Sequence, residues 1–227
     1  MKICVYTAIA GEKNLLTTPE TVYPDVSYIA FVDRPYDCDV WEQRELIDFS
    51  LDVRFRNRRN AKIYKINPEL FLPEHDVSVW IDPTHELFSH PREFIERHAL
   101  LESTDIAVFR HSARSCVYDE GEFVKTVGWK EHEHLLDMQL ENYRDSGFPR
   151  GFGLFELMVI IRRNCQSTWR FNRCWWEQIC KYSSRDQLSF PFVAWSLDAK
   201  VGVAPGFLTS PDNEFARYVR RHLLMKL

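Results

Sequence analysis

Glycine is scarce in this chain, with eight residues among 227. No run of about 18 apolar residues occurs, which excludes a membrane-spanning helix. Six cysteines (4, 38, 116, 165, 174 and 180) form no CxxC pair and no regular interval, so reduced thiols are expected rather than a disulfide framework. Neither sign of charge is in large excess: 29 basic against 33 acidic residues leave −4, too little to draw the whole surface to nucleic acid or an anionic membrane. The first residues, MKICVYT, lack the apolar stretch and cleavage site of a signal peptide, and a cytoplasmic location is the expectation. GxxxxGK[ST], HExxH and GxSxG are absent as well. GFGLFE, at Gly151 to Glu156, is not a dinucleotide fingerprint, because Glu156 stands at its sixth position and an apolar strand follows. His132-Glu133-His134 has the wrong spacing for two rings on one helical face.

What the chain does have is a globular composition, 45% hydrophobic and 14% aromatic. Strands are expected at Ile3 to Ile9, Ser27 to Asp33, Asp76 to Asp82, Asp105 to Arg110, Phe155 to Arg162 and Lys200 to Val203, with a weaker one at Leu51 to Arg56. Helical spacing covers a segment opened by Pro91, residues 131–146 ending before Gly147, residues 166–182, and residues 213–224, where Phe215, Val219 and Leu223 align. Alternating strands and helices predict an α/β fold, a mostly parallel central sheet flanked by helices. Without repeat, linker or low-complexity tract, residues 1–227 read as one domain.

Three constellations suggest chemistry. In VWIDPTHE an apolar strand ends in Asp82, which puts a carboxylate at the sheet edge where open α/β folds bind ligands and where a hard divalent cation could bridge to phosphate. The competing reading is a turn cap before Pro83. Upstream lie Arg54, Arg56, Arg58, Arg59, Lys62 and Lys65, with no acid between Val53 and Asn67. Arg58, Lys62 and Lys65 share a helical face, and such like charges repel by a few tenths of a kcal/mol per pair unless an anion such as a diphosphate joins them. A solvated face is the plainer alternative. Downstream, in YSSRDQLSF, Asp186 and Gln187 open an apolar helical segment. Asp186 suits the helix dipole there, whereas Gln187 has no such structural excuse. His222 sits on the expected last helix with Lys226 four residues on, a spacing typical of a surface or packed histidine.

The stretches ICVYTAIAG, RRNAKIYKINPELFLPEHDVSVWID, IAVFRH, GFGLFELMVIIRRN, FNRCWWEQI and YSSRDQLSF span nearly the whole chain. Together they resemble the TOD/MUCI70-type glycosyltransferase-like family, nucleotide-sugar glycosyltransferases of the GT-A type. The resemblance implies a Rossmann-like GT-A domain, with a nucleotide-binding part over about 1–110 and an acceptor and catalytic part over about 111–227. It implies a hexosyltransferase-type enzyme, a UDP-sugar donor, a saccharide or glycoconjugate acceptor, and a manganese or magnesium ion. Carried onto this sequence, Tyr6, Thr7 and Ala8 would touch the nucleoside, with Asp33 near the base. Arg59, Lys62 and Lys65 would approach the diphosphate or sugar, Asp82 would hold the metal, Asp186 would bind sugar hydroxyls, and Gln187 would lie near the anomeric carbon. The likeness raises His222 to a second metal ligand. Thr84 departs from the pattern, standing where many GT-A enzymes place the second aspartate of DxD.

The expected reaction is retaining transfer. Cationic groups already in place would stabilise charge developing on the diphosphate as the sugar becomes oxocarbenium-like. Two alternatives stand beside it. A sugar-1-phosphate nucleotidyltransferase is weakened by the single glycine of Ala10-Gly11-Glu12-Lys13; the other is a catalytically silent carbohydrate-binding domain.

Overall fold

The computed structural model describes residues 1–11, 15–52, 55–127 and 132–219. Strands β1 (Ile3–Ile9), β2 (Val26–Val32) and β4 (Val77–Ile81) are nearly continuous apolar runs because both faces of each are covered. On β1, Cys4, Tyr6 and Ala8 enter one core while Ile3, Val5 and Ile9 enter the other, and Trp80 and Val79 split in the same way on β4. The remaining strands are β3 (Glu42–Glu45), β5 (His85–Leu87), β6 (Ile106–Arg110), β7 (Phe155–Arg163), β8 (Val201–Ala204) and β9 (Ala216–Tyr218).

Seven strands form one sheet in the order β3-β2-β1-β4-β7-β6-β8, and β5 pairs with β9 in a separate two-stranded ribbon. Only β7 runs antiparallel to its sheet neighbours β4 and β6. The mostly parallel α/β arrangement is the one the alternation of segments predicts. Helices α1 (Arg56–Ile66), α3 (Val117–Thr126), α4 (Glu133–Asp145), α5 (Gln166–Lys181) and α6 (Asp186–Ser196) supply the core on one face, and α2 (Pro91–Arg97) packs on the other.

Two expectations are corrected. Leu51 to Arg56 is no strand: Leu51 and Asp52 are irregular, Arg56 already opens α1, and Val53 and Arg54 lie outside the described residues. Asp52 accepts the Phe55 backbone N–H at 3.1 Å, so this carboxylate turns the chain into the helix. The expected helix over 213–224 is replaced, as far as it is described, by a turn and β9: Asn213 Oδ1 accepts the N–H groups of Phe215 and Ala216, each at 3.0 Å, which fixes a turn before the strand. All six cysteines are free.

The topology determines where a ligand can sit. β1, β2 and β3 spread in one direction, and the chain then returns through α1 to place β4 on the other side of β1. The order reverses between β1 and β4, and α/β sheets bind ligands in the crevice outside the strand ends at such a reversal. The carboxyl ends of the parallel strands β1, β2 and β4 share that edge, with Gly11, Asp33 and Asp82 just beyond them.

Candidate active site

Asp82 leaves β4 at this reversal. Its backbone N–H is held by the Met158 carbonyl at 2.8 Å, and Oδ1 accepts Trp80 Nε1–H at 2.6 Å. The same oxygen receives Lys65 Nζ at 3.1 Å. Lys65 belongs to the last turn of α1, the crossover helix, where a cation also suits the helix dipole. Asn67 and Pro68 end that helix, since a residue before proline avoids the helical region.

Asp186, the first residue of α6, completes the cluster. Lys62 Nζ and Lys65 Nζ each lie 2.7 Å from its Oδ2, and its Oδ1 accepts the Gln187 backbone N–H at 3.2 Å. The chain of contacts is therefore Lys62–Asp186–Lys65–Asp82. Its side chains range from 5% exposed at Lys65 to 30% at Asp82, so Asp82 is the open end. Burial alone would raise the Asp186 carboxyl, but the two ammonium groups outweigh it and hold the group well below the ordinary aspartate range. Burial pulls Lys62 down to about 8 despite Asp186. Lys65 feels the same burial, yet it faces two carboxylates and is held above an ordinary lysine.

The expected unpaired cationic face is corrected here. No acid lies within the basic stretch, but acids arrive from elsewhere in the fold: Asp48 meets Arg56, Asp52 meets Arg59 at 3.0 Å, and Asp82 and Asp186 meet the lysines. Arg59 is a tie between α1 and α5, donating to the carbonyls of Ile179 at 2.6 Å and Tyr182 at 3.2 Å as well as to Asp52. Its donors turn toward protein, away from the place expected of it beside a diphosphate.

Of the other expected residues, Gln187 stays beside Asp186 and donates Nε2–H to the Phe155 carbonyl at 3.1 Å. Asp33 presents an exposed carboxylate that accepts the Gly11 N–H at 2.5 Å. Tyr6, Thr7 and Ala8 are buried within β1. The Tyr6 hydroxyl is spent on the Lys65 carbonyl at 3.1 Å, making Tyr6 a support for α1. His222 lies outside the described residues.

Arg162 is a participant that sequence reasoning missed. Fully buried on β7, it donates to the Ile66 carbonyl at 3.0 Å and to Asn172 Oδ1 at 3.2 Å, and also to the Tyr6 hydroxyl and the Lys65 carbonyl. Its guanidinium thus satisfies carbonyls at the C-terminus of α1 and fixes the turn that carries Lys65. The one sequence signal was an arginine on the same strand face as the buried Ile160.

Whether these residues fit a divalent ion follows from their chemistry. Among the described residues, no group of three or more His, Cys, Asp or Glu converges to hold one. Asp82 already carries an ammonium, Asp186 carries two, and Thr84 Oγ1 lies 3.1 Å from His85 Nδ1. Glu86 does not substitute for the missing aspartate, because Arg217 Nε and Nη2 hold it at 3.0 and 2.8 Å. An ion at Asp82 would sit beside Lys65. Two unit charges about 4 Å apart repel by about 4 kcal/mol at a protein-surface dielectric, and a double charge doubles that. The described donor set does not fit the metal.

A mixed α/β fold with a carboxylate–ammonium cluster at the switch point defines a class of protein with its candidate ligand site outside the strand ends. Comparison with known proteins narrows it. Residues 50–221 match the model of the TOD1/MUCI70 glycosyltransferase-like domain, and the chain belongs to that family. It is 30% identical over 151 residues to the probable hexosyltransferase MUCI70 of Arabidopsis thaliana. That match covers 63% of this chain and 26% of the plant protein, so the chain spans about a quarter of its relative's length. Among solved structures, apo mouse xyloside xylosyltransferase 1 superposes with a TM-score of 0.48 at 9% identity, over 88% of this chain and 83% of that one.

Proposed function

We propose that this protein is a retaining glycosyltransferase of GT-A type that moves a hexosyl group from a UDP-sugar to a saccharide or glycoconjugate acceptor. The observation that carries the reading is the bridge from Asp82 through Lys65 to Asp186 at the reversal of strand order. Family membership and the plant relative's printed activity support the same reaction class.

In this reading the diphosphate lies at the open end of the cluster with its oxygens toward Lys65 and Lys62. An ammonium has three N–H donors. Lys65 spends two on carboxylates and Lys62 one, which leaves donors for phosphate oxygens. The anomeric C–O bond breaks and its electron pair stays on the diphosphate oxygen, whose charge the fixed lysines stabilise without reorganising. The acceptor hydroxyl oxygen bonds to the anomeric carbon on the face being vacated, and its proton passes to the departing phosphate. Gln187, held by Phe155, offers its side-chain carbonyl beside the oxocarbenium-like sugar, and Asp186 orients a sugar hydroxyl.

The test is a thermal-shift screen of nucleotides and nucleotide sugars, followed by a transfer assay with D82A. UDP at 100 times its dissociation constant stabilises the native state by about 2.7 kcal/mol. Folded D82A is expected to lose transfer, and full transfer by D82A would refute the assignment.

A further inference from the structure

We propose that the Lys65 ammonium is the resident cation of this site, so that the chain grips the diphosphate of its donor without a divalent ion. This rests on the nucleotide-sugar reading above and departs from the manganese or magnesium that the family resemblance implies.

Three observations converge. First, one oxygen of the strand-end carboxylate is already occupied: Asp82 Oδ1 accepts both Lys65 Nζ at 3.1 Å and Trp80 Nε1 at 2.6 Å. Magnesium demands near-octahedral oxygen ligation, and calcium takes six or more oxygens. Second, among the described residues Asp186 and Glu86 are committed to cations of this chain, Asp186 to Lys62 and Lys65, and Glu86 to Arg217. Third, Lys65 is built to stay. Its backbone carbonyl is held by Tyr6 and Arg162, its ammonium lies 5.4 Å from the centroid of the Trp80 ring, and its side chain is nearly buried. The charge at Asp82 is thus supplied by a covalently tethered group that needs no dehydration and no uptake from solution. Lys62, joined to Asp186 at 2.7 Å, adds a second ammonium with unspent donors.

The deciding measurement is UDP affinity of the full chain by calorimetry, once with EDTA and once with manganese. Wild-type affinity is expected to agree within about twofold between the two conditions. K65M should bind UDP at least about tenfold more weakly, the loss of one charge-assisted hydrogen bond, and manganese should not restore it. K65R, which keeps the charge, should remain insensitive to EDTA. A wild-type affinity that falls about tenfold in EDTA overturns the inference and leaves the glycosyltransferase reading standing. Unchanged UDP affinity in folded K65M, or rescue of K65M by manganese, overturns it as well. If K65M does not fold, the wild-type comparison decides alone. A folded wild-type chain that binds UDP in neither condition removes the reading and the inference together.

Discussion

Arg185 and Asp186 are chain neighbours at the start of α6, yet they belong to different charge clusters built on different principles. Arg185 joins Arg114 around Glu120, a carboxylate on α3 with no exposed side-chain surface. Oε1 receives Arg185 Nε at 3.2 Å and Nη2 at 2.6 Å, and Oε2 receives Arg114 Nε at 2.6 Å. Planar guanidinium forks lock a carboxylate in place, and this one pins α3 to the N-terminus of α6. Asp186 instead meets two lysines, whose ammonium groups are point charges with donors to spare, and the cluster opens at Asp82. Both acids are buried and compensated. Only the second reaches an open carboxylate at the sheet edge, Asp82, and that separates a strut from a grip.

Substitutions at the two acids should break this comparison most visibly. D186N leaves Lys62 and Lys65 without their shared carboxylate. Removing one partner of a buried pair typically costs about 3–5 kcal/mol, measurable by urea unfolding. Transfer is expected to disappear while UDP affinity does not fall, because the two ammonium groups have lost a competing anion. E120Q should cost a similar amount of stability, since Arg114 and Arg185 are stranded in turn, but leave the UDP affinity of the folded fraction unchanged. Weaker UDP binding in E120Q than in D186N would reverse the assignment of strut and grip.

Three of the four members of this grip were legible in the sequence. Asp82 announces itself because an apolar strand ends on it, and Lys62 and Lys65 share a helical face by spacing alone. That Asp186 closes onto the same lysines is a contact across more than a hundred residues, which no periodicity encodes; the family likeness placed Asp186 on sugar hydroxyls instead. Arg162 was hidden because an arginine after an apolar run reads as a strand terminus, while the antiparallel β7 carries it inward beneath α1. The short strands escaped for local reasons. Glu42–Glu45 is polar throughout, and 216–218 carries spacing compatible with a helix until Asn213 turns the chain. Helix α3 has Gly121 at its centre, a poor helix former accepted because a Cβ there would meet Leu140 at 2.5 Å.

At the open end of the cluster the effects on stability are smaller. D82N removes a charge that is partly exposed and whose partner, Lys65, keeps Asp186, so about 1 kcal/mol of stability is expected to go, the ordinary worth of a hydrogen bond. Transfer should still fall steeply, because Lys65 loses one of its two anchors. A small melting shift together with a large drop in kcat is therefore the signature of the grip, and a large shift with kcat preserved would make Asp82 a strut.

The subtlest consequence concerns alkaline pH, where binding and stability should move in opposite directions. Lys62 is depressed to about 8 in the folded chain against 10.5 for a free lysine. As pH rises through about 8, the native state gives up that proton and UDP loses an ammonium partner, so affinity should decline. Between about 8 and 10.5 the unfolded chain still holds the proton that the native chain has released. Stability rises with pH wherever the unfolded state binds more protons, so the cost of burying this charged group is progressively relieved across that window. Asp186 acts at the other extreme: its contribution is present above the unfolded value of 3.8 and is lost as pH falls below it. Calorimetric UDP titrations from about pH 7 to about pH 10, paired with urea unfolding at each point, should show the divergence. K62M should abolish the alkaline fall in affinity, and a wild-type affinity that stays flat through that range would remove Lys62 from the phosphate site.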